Sequence, residues 1–175
     1  MNYATLPHDD EVVLEQGGYP LAFFITFRCY GTWLHGDPRG STDPQHNQPG
    51  EPLLPGNPAI HQRRSAGLRH PPMRLPSRHQ KVVETTIREV CRHRVWELHA
   101  LNALADHVHV VVSAPCPPEL VMNSFKSWST RRMREAGLVA QDAKVWSQHG
   151  STKYLWTHRD VTDACLYTNE GQERD

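Results

Sequence analysis

The chain of 175 residues has few cysteines, no long apolar run and no excess of either charge. Its four cysteines, Cys29, Cys91, Cys116 and Cys165, stand far apart without a CxxC pair. That argues against a cysteine-built zinc site and against a disulfide framework, and it fits a reducing, cytoplasmic setting. No stretch approaches the roughly 18 apolar residues of a membrane span, and "MNYATLPHDDEVVLEQ" carries acids where a signal peptide needs a basic end and an apolar core. A soluble protein with no membrane partner is expected. A formal net charge of zero removes whole-molecule attraction to nucleic acid as an argument for function. No internal repeat is evident.

What is present reads as one folded domain over residues 1–175. Hydrophobic residues make up 38% and aromatics 8%, enough to build a core at this length. Many of the 14 prolines crowd "HGDPRGSTDPQHNQPGEPLLPGNPAIHQ", which lacks any helix or strand pattern and is read as a surface loop. The insertion is placed at about residues 35–76. Before it, "YPLAFFITFRCYGTWL" (Tyr19 to Leu34) is β-branched and aromatic and is expected to be a central strand.

After the insertion, Val82, Val83, Ile87, Val90, Cys91 and Val95 recur at three- and four-residue spacings, which predicts a helix N-capped by Ser77. "ELHALNALADHVHVVVSAP" predicts two strands joined near Leu104 to Asp106, or one long bent strand. "PPELVMNSFKSWSTRRMREAGL" has prolines at its start, Leu120, Val121, Phe125, Trp128 and Met133 as its apolar positions, and Gly137 past its end. "KVWSQHGSTKYLW" is expected to turn as a hairpin at Gly150, and a last helix to end at Gly171. Strands interleaved with helices predict an α+β fold, a ferredoxin-like antiparallel sheet covered by helices.

Within "ADHVHVVVSAP", residues i and i+2 of a strand share a face, so His107 and His109 lie together while Val108, Val110 and Val112 feed the core. Two imidazoles on one face can converge on a divalent ion. They can also be two histidines on a solvated face, since HxH alone is a short pattern. "DACLYTNEGQ" adds Tyr167, with Asn169, Glu170 and Gln172 as oxygen donors nearby. Taken singly, Tyr167 reads as an aromatic packing on the sheet.

Taken together, the HxH strand, "FKSWSTRRM" on a helix, "HGSTKYLWTHRDVTDACLYTNEGQ" and the first strand "AFFITFRCYGTWLHG" resemble the single-tyrosine HUH transposases. These are the small transposases of bacterial insertion sequences and the REP-associated tyrosine transposases. The resemblance spans roughly Tyr19 to Gln172 and implies the HUH endonuclease fold. It implies a metal-dependent endonuclease and strand transferase acting on single-stranded or hairpin DNA, with Tyr167 as nucleophile. His107, His109 and Gln172 would be the ligands of a divalent ion, Mg²⁺ or Mn²⁺, and a 5′-phosphotyrosine the intermediate. Gln172 stands five residues after Tyr167, where four would put both on one helical face, so Glu170 and Asn169 stay open as the third donor.

Lys126, Trp128, Arg131 and Arg132 would hold the DNA backbone and stack a base, as single-strand binders do. A homodimer is expected from the resemblance. Two other readings stand beside this one: a nucleic-acid-binding protein on the same fold that no longer cuts, and an RNA-binding ferredoxin-like domain. The second would want exposed aromatics on a central strand, a pattern that Phe24, Phe27 and Tyr30 do not clearly give.

Overall fold

In "AFFITFRC" every second residue is large and apolar and the others are mixed, so a strand here presents two unlike faces. A computed structural model describes residues 20–41 and 52–170, and this segment forms the first strand, β1 (Ala22–Cys29). It is shorter than the stretch of apolar sequence suggests, because Gly31 takes a positive φ of 73° and turns the chain away. Three further strands follow: β2 (Glu97–Ala103), β3 (His107–Ser113) and β4 (Trp146–Leu155). They form one four-stranded sheet of order β2-β3-β1-β4 in which every pairing is antiparallel. With α2 (Ser77–Arg94) between β1 and β2 and α3 (Pro118–Glu135) between β3 and β4, the order is that of the expected ferredoxin-like α+β fold.

The alternation in β1 and β3 decides which helices cover which face. Phe23, Ile25, Phe27, Val108, Val110 and Val112 join Val83, Ile87 and Val90 of α2 and Val121, Phe125 and Met133 of α3 in the main core. Burying a side chain of this size contributes on the order of 1.5–3 kcal/mol. The other face carries a smaller cluster of Ala22, Ala100, Val111, Leu155 and Ala164, closed by α4 (His158–Glu170). The α4 helix packs chiefly on β2 and β3.

Several local expectations need correction. Ser77 is the first residue of α2 and makes no capping bond; Pro76 holds the cap position. Val95, expected on the apolar face, lies beyond the helix with a φ of 57° and is 89% exposed. On α3, Leu120 and Trp128 are exposed while Val121, Met122 and Phe125 are buried, so the apolar stripe is rotated from the expected one.

Nor does Gly150 turn a hairpin, because β4 runs through it as one strand opposite Phe27. A Cβ at Gly150 would collide with Met122 Sδ and stand 2.6 Å from the Thr26 carbonyl, so glycine here permits close approach rather than a turn. The insertion holds a helix, α1 (Pro58–Ala66), with the Asn57 side chain accepting from the Ile60 N–H and Pro58 at the first turn. No residue of α1 is buried. Among the described residues, no helix is long and apolar enough to cross a membrane.

Candidate active site

On the α4 side of the sheet, β1 presents Phe24, Thr26 and Arg28, and β3 presents Val111, His109 and His107. The register pairs Phe24 with Val111, Thr26 with His109 and Arg28 with His107. Both expected imidazoles therefore lie on one face, with Nε2 of His107 3.0 Å from Nε2 of His109. His109 is buried, stacked on Phe24 with ring centroids 5.3 Å apart. Tyr167, from α4, closes the stack. Its ring meets His109 edge-on at 5.5 Å and Phe24 at 5.8 Å, yet it remains 51% exposed.

Each histidine is oriented through its other ring nitrogen. His107 Nδ1 lies 2.6 Å from the Asp106 carboxylate, and His109 Nδ1 lies 2.7 Å from Thr26 Oγ1. A carboxylate only accepts, so His107 donates through Nδ1 and, when neutral, turns a bare lone pair on Nε2 toward His109. Burial pushes the pKa of both imidazoles down. In His109 the fields of His107 and Arg28 add to burial and bring it to about 4, while in His107 the Asp106 contact opposes the fall without reversing it. Both are neutral at pH 7, the state that ligates metal.

This donor set fits a divalent ion. Two ligands about 2.1 Å from one ion at a right angle stand about 3 Å apart, which matches the Nε2 separation. The Asp106–His107 contact supplies the outer-shell partner that metal-bound imidazoles usually have. Among the described residues, His107 and His109 are joined by no third His, Cys, Asp or Glu in a group placed to hold an ion. Gln172 lies outside the described residues.

A layer behind the histidines comes from residues that the sequence reading passed over. Asp106 also receives Arg39 at 3.6 Å, and Arg39 is held by Asp37, whose carboxyl these bonds lower to about 2. Burial pushes the Asp106 carboxyl up, but its bond to His107 and the fields of His107, Arg28 and Arg39 outweigh this and leave it below its ordinary value. The Trp33 ring packs against both Arg28, at 3.7 Å, and Arg39, at 4.8 Å. Arg28 and Trp33 border a cleft of about 1100 Å³ that reaches from Tyr167 and His109 to Arg63 and Arg64 of α1. The signals in the sequence were the acid immediately before HVH and the polar side chains alternating through an aromatic strand.

The four residues expected to hold DNA are not brought to this face. Lys126 is buried on α3, where its Nζ donates to the carbonyls of Ser147, Gln148 and His149. Its ammonium therefore holds β4 and is unavailable to a DNA backbone, which corrects that expectation. Trp128 and Arg131 contact each other at 5.2 Å, and Arg131 and Arg132 are paired with Glu135 and Glu89. All lie on a helix covering the opposite side of the sheet from the histidines.

Comparisons with known proteins bear on the family and the fold. A family model described as "Transposase IS200 like" matches residues 73–159, about half of the chain and inclusive of the HxH strand. A protein from Deinococcus radiodurans R1, described as a candidate transposase, is similar in structure, with 15% identity, 85% of this chain and 90% of that one covered, and a TM-score of 0.50. A REP-associated tyrosine transposase bound to a REP hairpin is similar at 14% identity, with 88% of this chain and 69% of that one covered and a TM-score of 0.49. No curated protein matches the sequence. With the family's match running through the strand that carries both histidines, the chain belongs to the IS200-like transposase family.

Proposed function

We propose that the chain is a metal-dependent endonuclease and strand transferase for single-stranded or hairpin DNA, with Tyr167 as its nucleophile. The observation that carries this reading is the meeting of His107 Nε2 and His109 Nε2 at 3.0 Å beneath the ring of Tyr167. A structural pair of histidines would not need two neutral imidazoles, one buried and one half-buried, aimed at each other below an exposed phenol.

His107, His109 and Gln172 would hold the ion, Mg²⁺ or Mn²⁺, which supplies Lewis-acid polarisation of the scissile phosphate. Asp106 keeps the His107 proton on Nδ1, and Thr26 serves His109 in either tautomer, because a hydroxyl both donates and accepts. Tyr167 Oη forms a bond to phosphorus as the P–O3′ bond breaks. The phenolic proton leaves to the water that reaches this half-exposed ring, and the departing 3′ oxygen takes up a proton. The products are a 5′-phosphotyrosine and a free 3′-OH. One phosphodiester replaces another, so a later 3′-OH can reverse the step without ATP.

The test is incubation of the protein with Mn²⁺ and labelled single-stranded hairpin DNA, followed by a denaturing gel and mapping of the modified residue. An adduct on Tyr167 that vanishes with chelator is expected. Undiminished cutting by Tyr167→Phe would overturn the reading, and DNA binding without an adduct would favour a protein that binds and no longer cuts. Light scattering on the same preparation tests the proposed homodimer.

A further inference from the structure

With Arg63 and Arg64 of α1 standing at the far end of the cleft, Arg28 is the charged group nearest the histidines that the reaction above leaves without a task. It projects from β1 on the histidine face, paired in register with His107, and borders the cleft with His109 and Tyr167. Its guanidinium carbon lies over the Trp33 ring, 3.7 Å from the centroid. Among the described residues it has no hydrogen-bond or ion-pair partner. The field of Asp106 reaches it, but that carboxylate bonds His107 and pairs with Arg39.

Its platform is built. Trp33 Nε1 donates to the Gly40 carbonyl at 2.6 Å, Gly40 has a φ of 91°, and Arg39 packs on the ring while bonding Asp37 and the Thr32 carbonyl. The motif "GTWLHGDPRGS" thus folds into a rigid seat for one guanidinium. An arginine stacked by its face keeps the N–H groups of its edge free, in the fork that matches two phosphate oxygens. Half-burying such a charge without an anion is costly, and desolvation lowers its pKa; a bound phosphate would offset that cost.

Resting on the transesterase reading, we infer that Arg28, seated on Trp33, is the site's phosphate receptor, gripping a backbone phosphodiester of single-stranded DNA at Tyr167. It touches substrate and holds no metal. Its neighbour Arg39 is a positioning residue that works through Trp33 and Asp106.

The test uses a fluorescein-labelled (dT)20 oligonucleotide in chelator, followed by anisotropy across a series of NaCl concentrations. Compared are wild type, Arg28→Gln, Arg28→Lys and Arg92→Gln, each checked for folding by circular dichroism. Losing one phosphate contact lowers the slope of log K against log salt by about 0.7. Arg28→Gln is expected to lose that slope and roughly tenfold in affinity at low salt. Arg28→Lys should keep the slope but slow adduct formation on the hairpin substrate, because an ammonium lacks the fork. Arg92→Gln, at an exposed arginine in the last turn of α2, should leave the adduct rate unchanged, and Mn²⁺ affinity by calorimetry should be the same in all four proteins.

A folded Arg28→Gln with the wild-type slope would overturn the inference, as would an Arg28→Lys with the wild-type adduct rate. If Arg28→Gln does not fold, Arg28→Lys carries the decision alone through that rate, or, where wild type forms no adduct, through bidentate contact read as tighter binding by wild type at low salt. Absence of an adduct in wild type sinks the transesterase reading, yet a slope lost in Arg28→Gln would still establish the phosphate receptor.

Discussion

Along β1 and β3, the side chains facing α2 and α3 are Phe23, Ile25, Phe27, Val108, Val110 and Val112, each no more than 1% exposed. The side chains between them, facing α4, include Phe24, Thr26, Arg28, His107 and His109. One pair of strands thus supplies both the core and the chemistry, and the pleat keeps them apart. The apolar face carries most of the stabilising burial, which lets the other tolerate one buried and one half-buried imidazole, a half-buried guanidinium and a cleft. The cost shows in α4, which buries only Ala164 and Thr168 and closes a cluster made mostly of small residues. The helix bearing the proposed nucleophile is therefore the most weakly held layer over the sheet.

The largest effects should separate the two faces cleanly. Phe125→Ala, in the main core, is expected to cost about 3–5 kcal/mol in chemical denaturation and to leave Mn²⁺ affinity intact in the protein that remains folded. Tyr167→Phe should do the reverse. Removing a nucleophile lowers turnover by roughly 10⁴-fold or more, while the retained ring keeps its contacts with Phe24 and His109 and the unfolding midpoint hardly moves. Loss of stability in Tyr167→Phe equal to that in Phe125→Ala would break the comparison.

Between pH 6.5 and 5, above the range where the carboxylates protonate, the pH dependence should come chiefly from the histidine face. In the unfolded chain His109 protonates near pH 6.5, and in the folded protein only near 4. Between those values the unfolded state binds more protons, so stability is complete above pH 6.5 and falls as the pH drops toward 4. The loss from this group is at most about 3 kcal/mol, and His107 shifts in the same direction. Denaturation in chelator at pH 7, 6, 5 and 4 should show this slope in wild type and a shallower one in His109→Gln. An equal slope in both would assign the acid sensitivity to other groups.

The histidine pair was legible because strand alternation is a strict geometric rule, and two imidazoles two residues apart must share a face. Tyr167 was legible through the resemblance; periodicity alone makes it one more packed aromatic. The Arg28, Trp33, Arg39 and Asp106 cluster was not, because a loop places Trp33 and Arg39, and spacing in sequence says nothing about where a loop folds back. Gly150 was misread for a related reason: glycine marks a turn and a close approach with the same letter, and only the packing of Met122 and Thr26 against it distinguishes them. In the insertion, Asn57 and Pro58 did carry a helix-start signal, hidden among neighbouring prolines.

Lys126 offers a smaller test of the same division. An amphipathic helix with a lysine next to its apolar stripe reads as a solvated cation, but here the ammonium is spent on three carbonyls of β4. Lys126→Met keeps the stem and removes the donors. It should destabilise by about 1–3 kcal/mol and leave the salt dependence of (dT)20 binding unchanged. A lower salt slope in this variant would restore Lys126 to the DNA-contacting set.

The smallest effect should belong to Arg131 and Arg132. Their partners Glu89 and Glu135 are exposed, and the pairs at 2.8 and 3.3 Å are of the kind that solvent screens. The double variant Arg131→Ala, Arg132→Ala should shift the denaturation midpoint very little, because each lost pair also releases two long side chains from a single geometry. Its more informative readout is adduct formation with hairpin DNA. The cleft at Tyr167 lies across the sheet from these side chains, so DNA gripped only at Arg28 gives the double variant a wild-type rate. A rate loss that high salt imposes equally on wild type would mean that the hairpin wraps around the sheet to α3. The opposite face would then share in holding substrate, and the division drawn between the two faces would apply to the chemical step alone.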